Sequence, residues 1–317
     1  MTVVAVEDLC VSFPGGREAV RGISLTLNAR EITALVGESG AGKSLTGLAL
    51  LGLTPPAACV TGSIRLDGRE LVGLGDRELR RIRGARVGLV YQDPMSALNP
   101  VWTAGEQVAE TLRAHLDLSR KEAAERTVEL LARVRLPNPR RVAASYPHEL
   151  SGGMRQRVVI AMAIACDPVV LVADEPTTAL DVTVEAQILD LLVAMAEELG
   201  VALLLITHDM GVVAETADRV CVMYAGRIVE EGPARDVLGA PAHHYTRALL
   251  ASAELDMPRG ELLAIPGAPP TLGSLPPGCP FAPRCPAAQA DCVAVDPPLL
   301  ALAGSAARCL HPLVAAR

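Results

Sequence analysis

Residues 37 to 44 read Gly-Glu-Ser-Gly-Ala-Gly-Lys-Ser, the full pattern G-x-x-x-x-G-K-S. The apolar run Ile32–Val36 precedes it and an apolar helical stretch, Leu45–Leu53, follows. A glycine-rich loop between a strand and a helix is a phosphate site. Gly37, Gly40 and Gly42 permit turns barred to other residues, so the backbone N–H groups from Glu38 through Ser39 and Ala41 can turn inward. The helix N-terminus adds partial positive charge. Lys43 can reach the β- and γ-phosphates, and Ser44 can offer a hydroxyl to Mg²⁺. The loop implies a bound nucleoside triphosphate and leaves open what its hydrolysis drives.

Two further segments carry chemistry. Asp174-Glu175 ends the apolar run Val169–Ala173. A carboxylate at a strand end beside a phosphate loop can help hold Mg²⁺, directly or through water. Glu175 is then placed to polarise an attacking water. Without the loop upstream, such a pair would read as a solvated turn. The second segment, Leu150-Ser151-Gly152-Gly153-Met154-Arg155-Gln156-Arg157, opens the apolar stretch Val158–Ala165. Ser151 is a good N-cap, and Gly152-Gly153 leaves backbone N–H groups open. It reads as a second anion-binding helix start, or as an ordinary capped helix.

The elements that must position these residues follow from periodicity. Residues 1–30 alternate as strands do, with a turn at Gly15-Gly16. Ile32–Val36 and Val87–Tyr91 read as strands, the second ending at Gln92. From Pro94 to about Asp167 the pattern is helical, clearest in Val108–Leu116 and Lys121–Val134. Val169–Ala173 and Val201–Thr207 are continuous apolar runs, as in strands buried on both faces of a parallel sheet, and Val184–Leu199 is an amphipathic helix. Strands alternating with helices imply an α/β domain with an inserted helical segment. After about residue 240 the composition shifts, and residues 258–298 are rich in proline, a stretch with little regular structure that needs another source of order.

Composition excludes several classes. Lys and Arg total 29 against 36 Asp and Glu, a net charge of −7, and aromatics are 2% of the chain. That balance argues against a nucleic-acid surface. Hydrophobic residues make up 50%, yet no apolar run approaches the roughly 18–20 residues of a membrane span. Glu7 and Asp8 stand where a signal peptide would carry basic residues, so the expected location is the cytoplasm, with any membrane role exerted by docking. Cys10, Cys59, Cys166 and Cys221 lie among apolar residues and read as small buried thiols. Cys279, Cys285, Cys292 and Cys309 crowd together with spacing C-x5-C-x6-C-x16-C, which in a reducing cytosol favours a metal site over disulfides.

Gly37–Ser44, Gln92, Leu150–Arg157, Asp174-Glu175, Ala179-Leu180-Asp181 and His208 occur in the order found in ATP-binding subunits of ABC transporters. Residues 1–240 resemble that family, and Leu-Ser-Gly-Gly separates it from other phosphate-loop ATPases. The resemblance implies a mixed-sheet α/β ATPase domain with a helical subdomain at about 94–167. It also implies a head-to-tail dimer, each ATP sandwiched between the phosphate loop of one subunit and Ser151, Gly152 and Gly153 of the other. Within that resemblance Gln92 looks like the glutamine that senses Mg²⁺ and water near the membrane subunit. Asp181 looks like an aspartate acting across the dimer, and His208 like the switch histidine on the γ-phosphate. Phe13 stands where the family places an adenine-stacking aromatic.

The segment Gln92–Pro100, the stretch Pro241–Thr246 and the four cysteines resemble the dipeptide and oligopeptide importers, whose C-terminal extension would span 241–317. His244 departs from that extension's usual Pro-x-His-Pro-Tyr-Thr. The resemblance implies a [4Fe–4S] cluster on the four cysteines. Zinc and free thiols are the alternatives. It further implies a second, homologous ATPase subunit, two membrane permeases and an extracytoplasmic substrate-binding protein, with this chain at the cytoplasmic face of the membrane. Peptides are the expected cargo. Close relatives import nickel or other small solutes, and the residues here do not choose between them. A soluble ABC ATPase in translation or DNA repair is a third reading; it would carry a second nucleotide domain or a long insertion.

Overall fold

A computed structural model describes residues 1–178, 180–253 and 265–314. Ala179 and residues 258–264 of the proline-rich stretch lie outside the described residues. In chain order the elements are β1 (Thr2–Phe13), β2 (Arg17–Asn28), β3 (Ile32–Val36), α1 (Lys43–Leu50), β4 (Cys59–Leu66), β5 (Arg69–Glu70), α2 (Asp76–Arg80), β6 (Val87–Val90), α3 (Pro94–Ala97), α4 (Ala104–His115), α5 (Arg120–Arg133), α6 (Pro139–Ala144) and α7 (Gly152–Ile164). Then come β7 (Val170–Asp174), α8 (Val182–Leu199), β8 (Ala202–Thr207), α9 (Met210–Thr216), β9 (Arg219–Tyr224), β10 (Arg227–Pro233), α10 (Ala234–Gly239), α11 (His244–Ala253), α12 (Ala290–Ala294), β11 (Leu300–Ala301) and β12 (Ala306–Ala307).

The chain divides into two compact units, each built from separate stretches of sequence. One comprises Met1–Val3, Asn28–Arg30 and Gly73–Leu205. Here β6 and β7 pair in parallel, Val87 opposite Val170, and β8 lies next to β7. The strand β7 is buried up to Asp174 because both faces of a parallel strand are covered. Helices fill residues 94–164, and two of them begin at complete capping boxes: Thr103 with Glu106 on α4 and Ser119 with Glu122 on α5. Each box satisfies otherwise unpaired N–H groups at a helix start, which fixes where these polar-rich helices begin. α8 ends at Gly200, whose φ of 67° needs no Cβ.

The other unit comprises Val4–Leu27, Glu31–Val72 and the chain from Ile206 onward. Its first sheet runs β2-β1-β4-β5, with β1 and β4 antiparallel. Alternate residues of β1 are buried, the signature of a sheet with one covered face. Its second set of strands runs β11-β12-β10-β9-β3. β3 is parallel to β9, Ala34 opposite Val220, and β9 is antiparallel to β10. All five residues of β3 are buried. One core cluster joins Ala34 and Val36 of β3, Val220, Val222 and Tyr224 of β9, Tyr245 of α11 and Phe281. The proline-rich tail therefore packs on the same apolar core as the strand leading to the phosphate loop.

Among the described residues no helix is long and apolar enough to cross a membrane. One expectation needs correction. Cys59 is exposed at the start of β4, and only Cys221 of the four scattered cysteines is buried, with Cys10 and Cys166 intermediate. An apolar neighbourhood in sequence does not by itself bury the first residue of a strand.

Candidate functional site

The second unit holds the phosphate loop. Residues 37–42 leave β3 and turn into α1, whose N-cap is Gly42 in a left-handed conformation. A Cβ at Gly37, φ 149°, would collide with the Met223 carbonyl oxygen. At Gly42, φ 102°, it would lie 2.7 Å from the Ala19 carbonyl oxygen. Glycine is needed there both for conformation and for space. The loop is stitched to its surroundings: Gly226 N donates to Ala41 O at 3.0 Å, and Glu38 N donates to the Tyr245 hydroxyl at 2.8 Å. Lys43 is buried, and its ammonium donates to the carbonyls of Gly37 at 2.7 Å and Glu38 at 3.1 Å. Ser44 follows in the first turn of α1. Phe13 ends β1 and is half-buried. His208 is exposed just after β8, and Asp209 next to it caps α9 by accepting from Gly211 N and Val212 N.

The first unit holds the carboxylates. Asp174 is the last residue of β7, and Glu175 follows with φ 43°, a left-handed backbone uncommon outside glycine. The Gln92 side chain, two residues past β6, donates to Glu175 Oε2 at 2.9 Å, and Thr178 Oγ1 donates to the same oxygen at 3.2 Å. The two strand ends thus bring Gln92 and Glu175 into direct contact across 83 residues of chain. Ser151 caps α7 by accepting from Met154 N at 3.3 Å. Behind it space is tight: a Cβ on Gly152 would lie 3.2 Å from Leu180, and one on Gly153 would lie 2.6 Å from Val184. Asp181 caps α8, accepting from Val184 N at 3.0 Å.

The C-terminal segment gathers all four tail cysteines. Cys279, Cys285, Cys292 and Cys309 line one cavity together with His243, Phe281 and His311. Cys279 N donates to Cys292 O at 2.8 Å, closing the segment on itself. Burial and the neighbouring thiols raise Cys279 and Cys285 above the ordinary thiol range and push Cys309 up to about 11. Such thiols ionise only beside a compensating cation. Among the described residues, the set whose ligand atoms all lie within 4.8 Å of one another is Asp291, Cys292 and His311, and no three of the four cysteine sulfurs are that close.

Several contacts had no sequence signal. Arg284, between Cys279 and Cys285, forks onto the Glu38 carboxylate at 2.6 and 2.9 Å, 246 residues away. Buried Glu230 of β10 accepts from Ala242 N and His243 N. His311 pairs with Asp291 at 2.9 Å, which holds that carboxyl below the usual range.

An α/β scaffold with a glycine-rich loop leaving a buried parallel strand and opening a helix is that of a phosphate-loop nucleotide-binding protein. The chain matches the ABC transporter family model over residues 20–178, and it belongs to that family. Residues 229–292 match the model for the oligopeptide/dipeptide transporter C-terminal region. It is 52% identical over 307 residues to the oligopeptide transport ATP-binding protein OppD of Mycobacterium tuberculosis, covering 95% of this chain and 50% of that protein. It is 49% identical over 301 residues to the dipeptide transport ATP-binding protein DppD of Bacillus subtilis, covering 93% and 90%. The chain thus spans about half the length of the mycobacterial relatives it matches. Among solved structures it resembles the ATP-binding cassette MJ0796 in a dimeric post-hydrolysis state bound to ADP and Pi, with TM-score 0.65 and 30% identity over 73% of this chain and 99% of that one. It also resembles CbiO1 of Clostridium perfringens, with TM-score 0.66 and 28% identity over 80% and 96%.

Proposed function

We propose that this chain is the ATP-hydrolysing subunit of an ABC importer for di- and oligopeptides. The observation that carries the reading is the joint match of cassette and peptide-transporter C-terminal region on one chain whose tail packs into the core of the phosphate loop. Relatives named for dipeptide and oligopeptide transport support the cargo class. Lys43 and the loop amides bind the phosphates, and Phe13 stacks on the base. Ser44, Asp174 and Gln92 offer a hydroxyl, a carboxylate and an amide oxygen, the hard donor set suited to Mg²⁺. Bound Mg²⁺ would offset charge developing on the phosphates. Glu175, oriented by Gln92 and Thr178, polarises the attacking water, while His208 reads the γ-phosphate.

The ATP site is completed by a second ATPase subunit, whose Leu-Ser-Gly-Gly segment covers this loop, while Ser151, Gly152, Gly153 and Asp181 serve the partner's ATP. A heteromeric partner is the expected arrangement. Two permeases and an extracytoplasmic binding protein complete the importer, with this chain at the cytoplasmic face. A groove of about 600 Å³ between α4 and α5, lined by Trp102, Glu106, Ala109, Arg113 and Val128, suits docking of a permease helix.

The four cysteines fit a [4Fe–4S] cluster better than zinc. Tetrahedral zinc with Zn–S of about 2.3 Å needs its sulfurs closer than 4.8 Å, and among the described residues no three of these sulfurs are that close; four thiolates are the usual ligand set of such a cluster. Such a cluster would supply structural or regulatory order, since ATP hydrolysis needs no redox centre.

The test is isolation of the chain with its membrane partners and reconstitution in vesicles. Peptide-dependent ATP hydrolysis and uptake are expected. ATPase activity that responds to nickel and not to peptide would overturn the cargo, and association with ribosomes or DNA alone would overturn the transporter role. Anaerobically purified protein should carry about four irons per chain; stoichiometric zinc would overturn the cluster.

A further inference from the structure

The sequence places Glu38 in the phosphate loop as one of four variable positions, and Arg284 in the tail as a residue between two cysteines. The structure joins them. Arg284 Nη1 donates to Glu38 Oε2 at 2.6 Å and Nη2 to Oε1 at 2.9 Å, the parallel fork in which guanidinium and carboxylate pair most strongly. Arg284 is buried, 7% exposed, and its Nε donates to Pro266 O at 2.9 Å and Nη1 to the Tyr224 hydroxyl at 3.3 Å. Its position is therefore set by the tail and by β9. Glu38 in turn is gripped at three points: its N–H by Tyr245 Oη, its carboxylate by Arg284, its carbonyl by the Lys43 ammonium. Tyr245, Tyr224 and Phe281 pack ring to ring around the pair, with centroids 4.6 to 5.4 Å apart.

An ion pair buried on its Arg284 side and partly exposed on its Glu38 side adds little net stability, because desolvation offsets the attraction. Its best-attested use is to specify one arrangement. The arrangement specified here is the backbone of the loop that binds phosphate, and the residue specifying it sits on the seven-residue stretch from Cys279 to Cys285. We propose that Arg284 is a positioning residue for the phosphate loop, through which the state of the four-cysteine module sets affinity for ATP. With the cysteines held together, the 279–285 turn presents Arg284 to Glu38. With them released, the fork is lost, Glu38 keeps one fewer anchor, and Lys43 and the loop amides are no longer pre-set for phosphate. The second half of this inference rests on the metal-bearing role proposed above; the contact itself does not.

The experiment uses the full chain, with ATP affinity read by equilibrium binding of a fluorescent ATP analogue and metal content by iron analysis. R284Q should weaken ATP binding on the order of tenfold, the usual scale of coupling between linked sites. It should raise KM for ATP more than it lowers kcat, and keep wild-type metal content. R284K, which keeps charge without the fork, should fall between. E38Q, isosteric and expected to fold even if R284Q does not, should match R284Q, and the double variant should be no worse than either. C285S should lose metal and show the same loss of ATP affinity. Unchanged ATP affinity in R284Q and E38Q, or losses that add in the double variant, would overturn the positioning role. Wild-type affinity in C285S would overturn the link to the cysteines. A chain without iron whose R284Q variant still binds ATP poorly would leave the contact's role intact and defeat the cluster; an iron-bearing chain with indifferent R284Q would do the reverse.

Discussion

Glu230 offers a test of what holds the tail to the cassette. It lies on β10 with no exposed surface, its Oε1 accepting from Ala242 N at 2.7 Å and its Oε2 from His243 N at 2.9 Å, with Ser305 Oγ also within 3.3 Å of Oε1. Burial pushes its carboxyl above the ordinary carboxylate range. Glu230→Ala strands two buried backbone N–H groups, each costing about 1–3 kcal/mol unsatisfied. Removing a carboxylate that is itself costly to bury returns part of that. A net loss of about 3 kcal/mol is expected, and about half as much for Glu230→Gln, whose amide keeps one acceptor and sets one N–H₂ against an N–H. The assay is urea unfolding of the full chain, with hydrogen exchange at the Ala242 and His243 amides as the local readout. A stability change within about 0.5 kcal/mol, the scale of surface substitutions, together with unchanged protection of those two amides, would refute the account.

Three other outcomes are expected. Glu175→Gln should cut ATP turnover by a factor of about 10²–10⁴ while preserving nucleotide binding, read by single-turnover kinetics; near-normal turnover would remove Glu175 as the main catalytic carboxylate. Gly37→Ala should force the loop away from the Met223 carbonyl and cost about 1–3 kcal/mol of stability, with ATP affinity falling alongside; an unchanged melting curve would count against the tight approach. Burial, aided by neighbouring His244, pushes buried His243 down to about 3, and its Nδ1 accepts from Tyr245 N at 3.0 Å. The unfolded chain then binds the extra proton between about pH 3 and 6.5, so this stability is full above 6.5 and is lost as pH falls. About 1.4 kcal/mol should disappear between pH 7.5 and 5.5. His243→Gln should show that much less pH dependence in urea titrations, and an equal dependence would contradict it.

Much of the nucleotide-binding half was legible, because its chemistry is local. The loop at 37–44 needs only consecutive residues, the mostly apolar run Ile32–Val36 announces a short buried strand, and the continuous run Val169–Ala173 announces one buried on both faces. β7 and α8 appear within two residues of their expected bounds, while α1 starts earlier than its apolar run because Gly42 caps it. The cysteine spacing announced a shared site, and the four side chains do line one cavity. What stayed hidden is non-local. The Gln92–Glu175 bond and the Arg284–Glu38 fork join residues far apart in sequence, and neither partner's neighbourhood names the other. Glu230 lies in the strand Arg227–Pro233, which no sequence pattern singled out, and it is buried where Ala242 N and His243 N find their acceptor. Cys59 shows the opposite error, in which apolar neighbours did not mean burial.

The pairing of β3 with β9 has a consequence for synthesis. The phosphate loop is encoded within the first 44 residues, but the walls that shape it emerge much later: Val220 opposite Ala34, Gly226 on Ala41, Tyr245 on Glu38. At about 5–20 residues per second, a ribosome needs on the order of 10–40 s to pass from one to the other. Throughout that interval β3, buried along its whole length in the folded chain, waits without its neighbour on that side. A message broken between the codons for Ser44 and Val220 yields a polypeptide that carries the nucleotide motif intact and lacks the strand and contacts that shape it.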